Sequence, residues 1–174
     1  MAALACLRRD PSLGRGCRTE NAITAAGKPA PIRDPAADDE ADWRRLWAGY
    51  LAFYGEDLPE AVTAATWQRI LDPASPVFAR FAARDGTLVG MTVNVLHEGT
   101  WTVAPVCYLE DLFVAPEARG AGIGRALIAD LVDLGTMRGW SRLYWHTKLG
   151  NAEARRLYER FVAADDFCRY RLVL

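Results

Sequence analysis

Metal-binding and cross-linking residues are scarce in this chain. Four cysteines (Cys6, Cys17, Cys107, Cys168) and two histidines (His97, His146) occur in 174 residues, and no two cysteines have C-x-x-C spacing. That excludes a zinc ligand set and a disulfide framework, and leaves reduced thiols in a cytoplasmic protein as the expectation. Charge of one sign is also lacking. The formal net charge is −1, so no broad cationic footprint for nucleic acid is expected. The longest uncharged run, Gly86 to His97, is too short to span a bilayer. The opening MAALACLRRD places its arginines after its apolar residues, the reverse of a secretory signal.

Hydrophobic residues make up 51% and charged residues 25%, as in a globular domain with a sizeable core. Residues 1–28 mix Gly, Pro, Arg and Ala without an apolar period and read as a disordered leader. Residues 29–174 read as one domain. A short strand over Ala30 to Arg33 is followed by a helix capped by Asp38 or Asp39, with Trp43, Leu46, Trp47, Tyr50, Leu51 and Tyr54 on one face. Pro59 opens a second helix that ends near Asp72-Pro73. Val77–Ala83 and Thr87–Leu96 form a hairpin around Asp85-Gly86, and His97 to Thr100 makes another turn. Val106–Val114 is a strand, Gly122–Arg138 a helix, and Arg142–Thr147 a strand. Asn151 caps a helix with Ala154, Leu157, Tyr158 and Phe161, and Phe167–Val173 closes the chain as a strand. The order β-α-α-β-β-β-α-β-α-β is a mixed α/β (α+β) domain.

The stretch CYLEDLFVAPEARGAGIGRALIADL, Cys107 to Leu131, puts two carboxylates in an apolar strand, then a glycine-rich loop, then a helix. Such a loop presents free backbone N–H groups and a helix dipole to a phosphate, and Arg119 adds a cation. Gly120, Gly122 and Gly124 fit neither the G-x-G-x-x-G fingerprint nor the P-loop. Arg119-Gly-Ala-Gly-Ile-Gly124 resembles instead the Arg/Gln-x-x-Gly-x-Gly/Ala signature of the GNAT superfamily of N-acetyltransferases. Asn151-Ala-Glu-Ala-Arg-Arg-Leu-Tyr158 is similar to that family's later helix, and Tyr108-Leu-Glu-Asp-Leu-Phe-Val114 to its diamine (spermidine/spermine) branch. The resemblance covers roughly Pro29 to Leu174. The Gly-Phe that usually follows the later helix is absent: the chain reads Phe161-Val-Ala-Ala-Asp-Asp-Phe167.

The resemblance implies an acyl-CoA N-acyltransferase fold and acetyl-CoA as cosubstrate, with no metal. The acetyl group would pass directly to a primary amine on a small molecule: a polyamine, a diamine or a lysine-like compound. Protein lysines or N-termini stay open as acceptors, as does a non-catalytic acyl-CoA-binding regulator. A homodimer is implied too. Arg119, Gly120, Ala121, Gly122, Ile123 and Gly124 would hold the pyrophosphate, the backbone of Leu112, Phe113 and Val114 the pantetheine arm and oxyanion, and Asn151 would contact coenzyme A.

The chemistry needs a proton taken from the amine and one returned to the departing thiolate. Glu110 fits the base, with a structural ion pair to an arginine as the alternative; Tyr158 lies on the apolar stripe of its helix and reads as core from the residues alone, and the resemblance implies it as the acid. Asp111 points to the opposite face of a regular strand, so it joins the amine site only if the strand bulges. Glu56, Asp57 and Glu60, between the first two helices, read as a solvated charged loop, and the resemblance implies that they border the acceptor site as an acidic rim for a cation. His97 is expected to be solvated. His146 could face the cleft, and Cys107 reads as inert core.

Overall fold

The structure is a computed structural model and describes residues 30–174. The leader expected over residues 1–28 lies outside the described residues. Strand β1 (Ile32–Arg33) precedes helices α1 (Glu40–Tyr54) and α2 (Glu60–Leu71). Strands β2 (Val77–Arg84), β3 (Thr87–Gly99) and β4 (Thr102–Val114) follow, then helix α3 (Ile123–Arg138), strand β5 (Arg142–Trp145) and helix α4 (Ala152–Tyr158). The five strands form one sheet in chain order, antiparallel except for β4 and β5. The α3 crossover permits that parallel pair.

Helix α1 forms on the stripe expected of it. Trp43 is fully buried and Leu46 and Trp47 nearly so, against Phe81, Met91, Val93 and Phe113 of the sheet. The rings of Trp67, Trp43, Trp47, Tyr50 and Tyr54 follow one another at centroid spacings of 5.0, 5.7, 5.5 and 5.0 Å. Truncating Trp43 to Ala would cost about 3–5 kcal/mol. Gly55, with φ of 70°, ends the helix as a left-handed cap. Mid-helix, a Cβ at Gly49 would stand 2.8 Å from Phe113 Cζ, so the missing side chain lets α1 lie directly on β4. On the other face, Leu109 packs with Ile128 and Leu131 of α3, joined by Leu143, Trp145, Leu157 and Tyr158. Arg80 clamps α3 to the sheet through Asp130 at 2.7 Å, and also pairs with Asp34.

Three expectations change. Asp39 stands at the N-cap of α1 but its side chain does not cap the helix: the carboxylate accepts two 2.6 Å bonds from Arg33 and one from the Ala36 N–H, closing the short turn before the helix. His97 lies on β3 rather than in a turn, because the strand continues to Gly99. The closing strand does not form. Phe167, Tyr170, Leu172 and Val173 are 80–93% exposed and the sheet ends at β5. The alternation of that segment suits a strand, but it meets no strand edge to supply hydrogen bonds, and an Asx bond from the Phe167 N–H to Asp165 stands where the family has glycine.

Candidate active site

The strand that carries the two carboxylates bulges at the first of them. On β3, Val93 pairs with Asp111 and the next residue, Asn94, with Leu109, so Glu110 is the extra residue that the ladder skips. A regular strand would turn the neighbours apart, whereas a bulge re-aims one of them. Glu110 is exposed and Asp111 is 8% exposed. The charges of both act on the same two phenols, Tyr50 and Tyr108, helping to raise them above the ordinary tyrosine range, with burial as the main cause in each. Asp111 itself is pushed up to about 6. Burial is the main cause, the Tyr50 hydroxyl opposes it, and the Glu110 charge adds to it.

An aromatic wall surrounds this pair. Tyr54 packs edge-on to Tyr50 at 5.0 Å, and burial, then the Asp111 charge, raises its phenol. Tyr108 stacks on Tyr144 at 5.0 Å, and its hydroxyl lies 3.3 Å from His146 Nδ1. His97 Nε2 meets the Tyr144 hydroxyl at 3.1 Å, which ties that exposed histidine into the same cluster. Cations stand on two of these rings, Lys148 over Tyr54 at 4.9 Å and Arg142 over Tyr144 at 5.6 Å.

Beside the carboxylates the sheet opens. Pairing of β4 with β5 ends at Leu109–Trp145, while β4 continues through Leu112 and Phe113 to Val114. Tyr158 comes to this opening from α4, its ring 5.4 Å from Trp145. Burial, then the neighbouring Tyr54, pushes its phenol up to about 12. The Asp111 charge thus acts on Tyr54, and Tyr54 in turn on Tyr158. The Asn151 Oδ1 caps α4 by accepting from the Ala154 N–H at 3.3 Å, and its amide donates to Thr147 at 3.2 Å.

The glycine loop lies at the far end of β4. Gly120 and Gly122 have φ of 77° and 78°, which a side chain would strain. Gly122 is the N-cap of α3 and no side chain caps the helix, so the N–H groups of its first turn, from Ile123 and Gly124, have no side-chain partner. Arg119 donates to the Val114 carbonyl at 3.2 Å and lies over the Phe113 ring at 5.8 Å. Ala121 is exposed and Ile123 buried, so the loop is anchored on one side only.

Glu56 and Asp57 are exposed in the link between α1 and α2, directly after Tyr54. Glu60 is paired with Arg44 at 2.9 Å. Cys107 is fully buried, and burial pushes its thiol up to about 12, which suits inert core. Sequence reasoning missed Tyr50, Tyr54, Tyr108 and Lys148 as site residues. The change from Trp to Tyr along the α1 stripe was the available signal, since tyrosine suits a surface with one wet edge. A cleft of about 410 Å³ between the end of α2 and the start of β2, lined by Ile70, Val77 and Phe78, holds none of these groups.

The description "Acetyltransferase (GNAT) family" fits residues 42–162. The D-amino-acid N-acetyltransferase HPA3 of Saccharomyces cerevisiae is 30% identical over 135 residues, 76% of this chain and 84% of that protein. A thialysine N-epsilon-acetyltransferase of Mus musculus is 34% identical over 45% of each chain. Among solved structures, a ribosomal-protein-alanine N-acetyltransferase from Brucella melitensis biovar Abortus superposes with a TM-score of 0.69 at 26% identity, covering 83% of this chain and 99% of that one. AAC(6')-Iy, in complex with a CoA-containing bisubstrate analog, shares the fold with a TM-score of 0.71 at 22% identity, over 84% of this chain and 100% of that one. The chain belongs to the GNAT acetyltransferase family. It is an N-acetyltransferase, of a family that uses acetyl-CoA as donor.

Proposed function

We propose that this chain acetylates a primary amine on a small cationic molecule of the polyamine, diamine or lysine-like class. The observation that carries the reading is the bulge at Glu110: it breaks the alternation that would turn Glu110 away from Asp111, next to the opening between β4 and β5. The Arg119–Gly124 loop, with the first turn of α3, would hold the pyrophosphate, and Asn151 would contact the donor beside it. Main-chain N–H groups of Leu112 to Val114 would bind the pantetheine arm and the developing oxyanion.

An alkylammonium has a pKa of about 10 and must lose its proton before attack. Asp111, under Tyr50, holds the ammonium, with Glu56 and Asp57 as the outer rim. Glu110, exposed at the bulge, takes the proton directly or through one water. The amine nitrogen then bonds to the thioester carbonyl carbon and the C–S bond breaks. Tyr158 is fully protonated at neutral pH and can donate to the leaving sulfur. A thiolate whose conjugate acid has a pKa of about 8.5 is too weak a base to keep a proton taken from a phenol near 12, so the proton that Tyr158 gives must be matched by one returned to it. After attack the nitrogen carries one proton more than the amide keeps, and that second proton, passed to Tyr158, balances the transfer while Glu110 keeps the first. A cytoplasmic location and a homodimer are proposed from the family resemblance.

Release of free thiol from acetyl-CoA, measured against a panel of amines and peptides, tests the reading. Turnover with small amines supports it. Turnover with peptides alone would assign the chain to protein acetylation. Calorimetric binding of acetyl-CoA without turnover of any acceptor would make it a non-catalytic regulator.

A further inference from the structure

The acceptor side of the site carries a cation as well as its carboxylates. Lys148 is the one lysine among the described residues. It sits in the loop between β5 and α4, is exposed, and forms no ion pair among the described residues. It is nonetheless placed: its ammonium stands 4.9 Å from the centre of the Tyr54 ring. A cation over an aromatic face is held without its N–H donors being consumed, so they stay available to a ligand oxygen. The Tyr54 ring packs on Tyr50, and Tyr50 adjoins Asp111. Lys148 and Asp111 therefore border the same two-ring wall, Lys148 at Tyr54 and Asp111 at Tyr50.

A polyamine matches only half of that wall. Its ammonium suits the carboxylates, but a second ammonium near Lys148 would meet a like charge. A molecule carrying both an amine and a carboxylate matches both ends. We propose that the preferred acceptor is a zwitterion, an amino acid or a close relative of one, and that Lys148 seats its carboxylate. This rests on the reading that the amine is acetylated beside Glu110 and Asp111. Lys148 here is a specificity residue: it touches the carboxylate and takes no part in proton transfer. The mixed rim fits this role, since Glu56 and Asp57 next to Tyr54 would repel a misdirected carboxylate and leave Lys148 as its favourable partner.

The test compares acceptors that differ only in the carboxylate: D- and L-lysine against 1,5-diaminopentane, and D- and L-alanine against ethylamine. The wild-type protein should show kcat/KM at least about tenfold higher for the better amino-acid enantiomer of a pair. Lys148→Ala should raise KM for that amino acid about tenfold, equivalent to 1.4 kcal/mol, with kcat nearly unchanged. The same variant should leave the decarboxylated amine unaffected or improved, and Lys148→Arg should restore most of the preference. A wild-type preference for the diamine, or an amino-acid preference that survives Lys148→Ala, overturns the inference while leaving amine acetylation intact. Failure of every acceptor in both series, with acetyl-CoA bound, overturns the proposed function and this inference together.

Discussion

Glu110 and Asp111 are adjacent in sequence, one exposed and one buried, and Glu110 is the extra residue at which β4 bulges. Placing two carboxylates together costs something in the free protein. Burial and the Glu110 charge both favour the protonated form of Asp111, and its carboxyl titrates near 6 rather than at its ordinary 3.8.

That cost can be measured as stability. A carboxyl whose folded-state pKa is raised supports the fold most when protonated, below about 3.8. The support is lost as pH rises through about 6. Asp111→Asn keeps the shape and removes the charge. It should stabilise the protein by up to about 3 kcal/mol at pH 8 and change little near pH 3.5. Thermal melts at the two pH values check this, and equal shifts at both would place the effect in packing instead of charge. The same variant should lose amine affinity.

Activity should also follow Asp111. If the ionised carboxylate binds the ammonium, kcat/KM for the amine falls about tenfold for each pH unit below about 6. The phenol of Tyr158, near 12, should produce no limb between pH 7 and 10. A pH–rate profile tests both statements.

Tyr158→Phe removes one hydroxyl and keeps the ring against Trp145. Turnover should drop by roughly 10- to 1000-fold with acetyl-CoA affinity within a few-fold. Wild-type turnover would make Tyr158 a packing residue.

Glu110→Gln should lose rate most near neutral pH, where the amine is protonated, and recover partly as pH rises. A higher KM at constant kcat would make Glu110 a binding group and leave the proton to water or Asp111.

Gly122→Val forces a β-branched residue to φ of 78°, where no neighbouring atom lies within 4 Å of the added Cβ. Steric clash in the free protein is therefore minor and the backbone itself must change. Acetyl-CoA binding should weaken at least about tenfold, or 1.4 kcal/mol, by calorimetry on a folded variant. Unchanged affinity would remove the loop from the donor site.

Local features were legible in the sequence. Asp85-Gly86 turns with φ of 50° and 81°, as that dipeptide favours at a hairpin. Asn151 caps its helix, and the glycine loop adopts left-handed backbone where glycine is needed. The bulge was not legible, because Glu110 carries no glycine or proline to mark it and the register is decided by β3 across the ladder. Lys148 and Tyr54 are 94 positions apart, and their contact exists only once β5 and α1 have packed on the sheet. The unformed closing strand shows the same limit from the other side: alternation can specify a strand, but only a second edge can pair it.

Gly49 ties the surroundings of the Asp111 carboxyl to the core. Helix α1 rests on Phe113 at that position with no room for a methyl group, and the very next residue is Tyr50, the phenol that covers Asp111. Any larger residue at 49 must lift the helix or tilt the ring beneath it, and the displacement passes straight to the roof over the carboxylate. Under the proposed function, the gap for the acceptor is thus gauged by a glycine that never meets it. Breadth of acceptor choice becomes adjustable by shimming one helix, with every proton-handling group left as it is.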